Sequence, residues 1–110
     1  LRSYLAQNGF SIDEERVVFD AGKYYQLISA RYDGLKREFS GAELRLGKLN
    51  LERAAESLSE TDRGWLEFVL NAAKKRSDGR KNAISLVDDP VDSEIIDIIN
   101  DLLVRKNADN

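Results

Sequence analysis

The stretch VVFDAGKYYQLISA, Val17 to Ala30, constrains this fold more than any other part of the chain. Two runs rich in β-branched and aromatic residues flank a short turn containing Gly22, which predicts a β-hairpin. An isolated hairpin is marginal in water and needs a third strand or a packed helix. Leu27 beside Ile28 predicts a strand buried on both faces, the habit of a sheet interior. No other segment reads as a strand. Either helices cover the hairpin unaided, or the chain is a piece of something larger whose remaining strands lie elsewhere.

Parity places a bend in the first strand. Phe10 and Ile12 alternate with polar Ser11 and Asp13, whereas Val17 and Phe19 have the opposite parity, so a bulge is expected around Asp13 to Glu15. The acids Asp13, Glu14 and Glu15 are read as keeping that exposed bend soluble; no carboxylate is placed opposite them to make an acid/base pair. Ahead of the strand, Leu1, Tyr4 and Leu5 have helical spacing, with Asn8 and Gly9 as the stop. The return strand spans Lys23 to Tyr32 and ends at Asp33 and Gly34.

Beyond Gly34 the apolar period lengthens to about 3.6 residues and everything reads as helix. SGAE, Ser40 to Glu43, is a capping box that opens a short helix stopping near Gly47. Asn50 is placed as the cap of a second, and SETD, Ser59 to Asp62, as the cap of a longer third. In that third helix Leu66, Val69, Leu70 and Ala73 form the apolar stripe, with Trp65 and Phe68 widening it. Asp89 before Pro90 marks the next start. Val91, Ile95, Ile98, Ile99, Leu102 and Leu103 line that last helix, which is expected to end near Lys106 with NADN as a frayed tail.

Several function classes are excluded by residues that are missing. The chain has no Cys and no His, so a disulfide framework, a thiolate or zinc site, haem ligation and a histidine-based triad are ruled out. Charged residues make up 34% of the chain, and no apolar run approaches the ~20 residues of a membrane span. A cytoplasmic protein is expected, with no membrane partner. The chain opens on Leu1 and contains no Met, which hints at a piece cut from a longer sequence.

The order helix, Gly-Phe step, strand, tight turn and Gly-Lys-Tyr-Tyr strand also carries a resemblance. LRSYLAQNGFSIDEERVVFDAGKYYQLISARYDG is similar to the closing unit of a Rossmann-like S-adenosylmethionine-dependent methyltransferase, and most resembles the bacterial tRNA (adenine-N1)-methyltransferases. The likeness is strongest over residues 1–34 and weaker over Phe39 to Leu49. Beyond that only helical character agrees. Leu46, Gly47 and Lys48 stand where the family has a Phe-Gly-Pro ending.

The resemblance implies an α/β fragment: residues 1–34 would be the final helix and antiparallel hairpin of a Rossmann-like sheet, and residues 35–110 an all-α C-terminal extension. It also implies that S-adenosylmethionine is bound upstream of Leu1. No glycine-rich loop follows a strand here, and no asparagine-proline-type motif is present, so no catalytic or cofactor-binding residue transfers to this chain. Tyr24 and Tyr25 are read as packing residues rather than substrate contacts.

Two charged segments invite a role. KKRSDGRK offers Lys74, Lys75, Arg76, Arg80 and Lys81 against the single acid Asp78, and on a helical arm these side chains are candidates to contact tRNA phosphates. The plainer reading is a solvated helix end, or pairing with the acidic Asp88, Asp89, Asp92, Glu94, Asp97 and Asp101. The acids themselves crowd a helix start and match no EF-hand spacing, so no metal is expected. The apolar stripes are read as the inside of a helical hairpin that can also support a homodimer. The competing function is a stand-alone α+β protein-interaction module without catalysis.

Overall fold

A computed structural model describes residues 1–81 and 90–108 of the chain, with side chains over 1–79 and 91–104. It is an α+β protein with the order α1 (Arg2–Gln7), β1 (Phe10–Asp20), β2 (Lys23–Tyr32), α2 (Gly41–Leu46), α3 (Lys48–Glu56), α4 (Glu60–Lys81) and α5 (Pro90–Ala108). The compact units are Leu1–Ser57 and Leu58–Asn110. The division therefore falls well beyond the expected boundary at residue 34, because α2 and α3 are built into the hairpin unit.

In the first unit β1 and β2 form a two-stranded antiparallel sheet. They are joined by a two-residue turn in which Ala21 (φ 51°) and Gly22 (φ 81°) both have positive φ, the geometry that matches strand twist in tight hairpins. The expected bulge is present: Ile12 pairs with Ala30 and Glu14 with Ser29, leaving Asp13 as the extra residue. It brings Phe10 and Ile12 onto the same face as Glu15, Val17 and Phe19 despite their opposite parity. On that face Glu15 and Val17 are buried, Ile12 and Ile28 are half-buried, and Phe10 meets Tyr32 edge-on at 5.4 Å.

The opposite face is open. Leu27 is 52% exposed and Tyr25 47%, so β2 is not the doubly buried strand expected from Leu27 and Ile28. With one strand as neighbour, a sheet face lacking a helix stays in water whatever its composition.

Three further expectations are corrected. Leu1 and Tyr4 are exposed, and α1 instead buries Arg2, Leu5 and Ala6. Glu15 is buried rather than a solubilising residue of the bend. Asn50 does not cap α3, which starts two residues earlier behind Gly47; Asn50 is fully buried, and its side-chain amide donates to the Leu46 carbonyl at 2.8 Å. The Ser40 capping box forms as expected, with the Glu43 N–H donating to Ser40 Oγ at 3.1 Å and the Ser40 N–H to Glu43 Oε1 at 2.9 Å.

The linker from Asp33 to Ser40 is tied back to the hairpin unit. Asp33 and Gly34 donate their N–H groups to the Gly9 carbonyl, and Arg37 donates its own to Ala6. The Asp33 carboxylate accepts from the Leu35 N–H and from the Arg37 guanidinium, which holds its pKa down at about 2 against an ordinary 3.8. A depressed carboxylate pKa contributes stability in full above the unfolded value and loses it as pH falls through the folded one. This staple is therefore expected to loosen only between about pH 3.8 and about pH 2. An NMR titration of the Asp33 side-chain carbon checks it; a midpoint at the ordinary value would show that the Arg37 contact is not held in solution.

In the second unit Ser59 caps α4 by accepting the Asp62 N–H at 3.1 Å. Trp65, Leu66, Leu70 and Ala73 of α4 are buried, as are Ile95, Ile99 and Leu102 of α5. The two helices pack as the hairpin their stripes predict. Phe68 is 61% exposed and lies off the stripe it was expected to widen. Helix α5 runs to Ala108, two residues past the expected end. The proposed Asp89 cap, Asp88, and Asp109 and Asn110 of the tail lie outside the described residues.

Candidate functional site

Three features compete as the place where this protein acts: the basic end of α4, the open side of β2, and a polar junction beneath the hairpin.

At the end of α4, Lys74, Lys75 and Arg76 are exposed, but they do not share one role. Arg76 grips Asp92 in the first turn of α5 with Nε 3.2 Å from both carboxylate oxygens and Nη2 3.1 Å from Oδ1. The Asp92 side chain is 1% exposed and that of Arg76 47%. Asp92 is thus a buried anion gripped by a guanidinium at a helix start, where negative charge is favoured, and Arg76 is first of all the clasp between α4 and α5. This is the pairing that the acidic helix offered in the sequence. Lys74 and Lys75 remain as exposed cations of the run, while the side chains of Arg80 and Lys81 lie outside the described residues.

The clasp predicts a separation of effects. Arg76→Ala leaves Asp92 buried without its main cation and is expected to cost about 1–3 kcal/mol, less than a fully buried pair because half the guanidinium is in water. Lys74→Glu with Lys75→Glu is expected to leave stability within about 0.5 kcal/mol. Urea melts of the two variants distinguish them, and equal effects would show that Arg76 carries no structural load.

The junction beneath the hairpin was not legible in the sequence. Arg2 Nε donates to Glu15 Oε2 at 2.6 Å, with side-chain exposures of only 6% and 1%. The remaining guanidinium hydrogens go to Leu44 O at 3.1 Å, Arg45 O at 3.0 Å, Leu46 O at 3.4 Å and Gln26 Oε1 at 2.5 Å. All five donors of Arg2 therefore have acceptors, three of them the last carbonyls of α2. Glu15 Oε1 takes the N–H groups of Leu49 and Asn50 at 2.8 and 3.4 Å, the opening donors of α3. Arg53 closes the cluster, donating to the Glu15 carbonyl at 2.6 Å and to Asn50 Oδ1 at 2.9 Å. One ion pair thus caps the end of one helix and the start of the next.

A cavity of about 260 Å³ opens beside this junction, lined by Ile12, Arg37, Phe39, Glu43 and Lys48 among others. Its charged groups are largely committed: Arg37 to Asp33, Glu43 to the Ser40 cap, Arg2 and Glu15 to each other. The arrangement holds helices in place and offers no poised nucleophile and base. Among the described residues no group of three acidic, His or Cys side chains is placed to hold a metal ion, and no helix is long and apolar enough to cross a membrane.

The chain matches no family model, no curated protein and no solved structure. The feature that demands an explanation is β2, exposed or half-buried along its whole length while carrying Tyr25, Leu27, Ile28 and Tyr32.

Proposed function

We propose that this chain is the C-terminal part of an S-adenosylmethionine-dependent tRNA adenine-N1 methyltransferase, with the helical segment after the hairpin helping to position tRNA. The observation that carries the reading is the open side of β2. A ten-residue strand with Leu27 and Tyr25 half in water on one face, and with no second strand neighbour among the described residues, is what the margin of a larger sheet looks like when its remaining strands are absent. The residue order Gly-Phe, bulged acidic strand, tight turn and Gly-Lys-Tyr-Tyr supplies the family.

Among the described residues nothing fits the cofactor. The strands are joined by a two-residue turn, and β2 leads into the stretch 33–40 rather than through a glycine-rich loop into a helix. The methyl donor and the catalytic groups belong to sequence ahead of Leu1, and this chain's part is to complete the sheet and offer Lys74 and Lys75 to phosphates.

The test has two arms. The coding sequence upstream of Leu1 should specify a strand followed by an acidic-x-Gly-x-Gly loop, and the protein extended to include it should methylate tRNA; a complete gene without that loop overturns the reading. In a salt-titrated tRNA gel shift of that extended protein, Lys74→Glu with Lys75→Glu should weaken binding and flatten the dependence on log salt by about 1 per lost contact. An unchanged slope removes the basic run from tRNA contact. A stand-alone interaction module is the second reading, favoured by the hydrogen-bonded closure of unit Leu1–Ser57 around Arg2 and Glu15.

A further inference from the structure

Strand β2 is built as a self-complementary edge, and we propose that the 110-residue chain dimerises by antiparallel pairing of β2 with β2 of a second copy, with Ile28 on the two-fold axis. Edges that must stay single are protected by proline, bulges or charges along their length. This one has none of these across Tyr24–Ala30: the bulge lies in β1, and the only charges of β2 are Lys23 and Arg31 near its ends.

The backbone is correctly disposed. A two-residue turn with positive φ at both positions makes Asp20 and Lys23 a hydrogen-bonded pair. Alternation then aims the peptide groups of Tyr24, Gln26, Ile28, Ala30 and Tyr32 away from β1, toward an incoming strand.

Side chains select the register. A two-fold axis perpendicular to the sheet keeps each face on its own side, so facing residue numbers must sum to an even value. An axis at Leu27 sets Lys23 against Arg31 twice, like charge on like. An axis at Ser29 sets Leu27 against Arg31 and leaves Lys23 without an acid. An axis at Ile28 sets Lys23 against Asp33 (the residue just past β2, whose carboxylate also holds Arg37), Tyr25 against Arg31, Tyr24 against Tyr32, and Ile28 against itself. Each of the first three pairs occurs twice, and each is a favourable cross-strand combination: opposite charges, cation on aromatic, aromatic on aromatic. The groups are accessible: Tyr25 is 47% and Tyr32 67% exposed, and the Arg31 side chain is 72% exposed.

The pairing is a property of residues 1–110 by themselves and excludes the continued sheet of the methyltransferase reading, which would occupy the same edge. In a longer protein whose sheet continues at β2, the next strand takes this edge.

Sedimentation equilibrium and amide hydrogen exchange on the 110-residue chain test it. The wild-type chain should sediment as a dimer, and raising its concentration should slow exchange at Tyr24, Gln26 and Ile28 by about tenfold or more, as expected for newly bonded N–H groups. Ala30→Pro removes an outward N–H at an exposed position without touching the β1 ladder and should give a monomer. Lys23→Glu sets acid against Asp33 of the other copy and should weaken the dimer about tenfold. It also keeps the proposal falsifiable if the proline variant does not fold. A wild-type chain that stays monomeric at millimolar concentration overturns the proposal. So does a dimer indifferent to both substitutions, which would place the interface on the helical segment, or an open-ended assembly.

Discussion

Replacing Glu15 with Ala is expected to destabilise the hairpin unit by about 3–5 kcal/mol, the largest effect of any single side chain in it. The substitution removes a carboxylate that is 1% exposed and leaves the Arg2 guanidinium buried without a counter-charge. It also strips the N–H groups of Leu49 and Asn50 of their acceptor at the start of α3. Domain stabilities are commonly only about 5–15 kcal/mol, so the variant should lose a large share of its stability and unfold at a much lower urea concentration. Urea denaturation followed through amide signals of β1 measures it.

A companion variant separates the value of the pair from the damage of breaking it. Arg2→Met with Glu15→Leu removes both charges together, and apolar replacement of a whole buried pair is often close to neutral. The double variant should recover much of the loss, although the carbonyls of Leu44 and Arg45 lose their donor as well. A single Glu15→Ala change costing under about 1 kcal/mol would mean that water reaches the pair in solution.

Gly47→Ala is expected to cost about 3 kcal/mol or more, from two sources. The backbone there has φ 93° and ψ 125°, a region that side chains rarely tolerate, at about 1–3 kcal/mol. An alanine Cβ would also stand 2.5 Å from both Glu15 carboxylate oxygens and 2.6 Å from Arg2 Nη2. These atoms are the committed ends of a buried ion pair and cannot swing aside without breaking it. The clash and the pair are therefore coupled, so Gly47→Ala should cost markedly less in a Glu15→Ala background. Additive effects in that double-mutant cycle would show that the helix break is strained for reasons independent of the pair.

The polar junction and the clasp differ in what their charges accomplish. Asp92 is one buried anion with a half-exposed partner, and it joins two helices that already bury Leu66, Ile95 and Ile99 against each other. Arg2 and Glu15 do more. Helix α2 has six residues and α3 nine, too short to stand alone, and their facing ends would otherwise leave carbonyls and N–H groups without partners in a buried place. The ion pair supplies both sets of partners and sets the break between the helices at Gly47.

Local patterns in the chain carried the elements themselves. The β-branched and aromatic runs around the Gly22 turn specified the hairpin, the change of parity between Ile12 and Val17 its bulge, SGAE the cap of α2, SETD that of α4, and the leucine and isoleucine stripes the pairing of α4 with α5. Each of these depends on residues within one or two turns or one strand of each other, where spacing alone decides geometry. Burial of charge did not follow from spacing. The partners of Arg2 and Glu15 lie 13 to 44 positions away, Asn50 has the look of a cap, and Asp92 has a basic run to pair with but no sign of its own burial, so only the assembled units show these four residues to be buried. The open face of β2 was decided in the same way: Leu27 and Ile28 declare an apolar strand, but whether water or protein covers it depends on how many strands stand beside it.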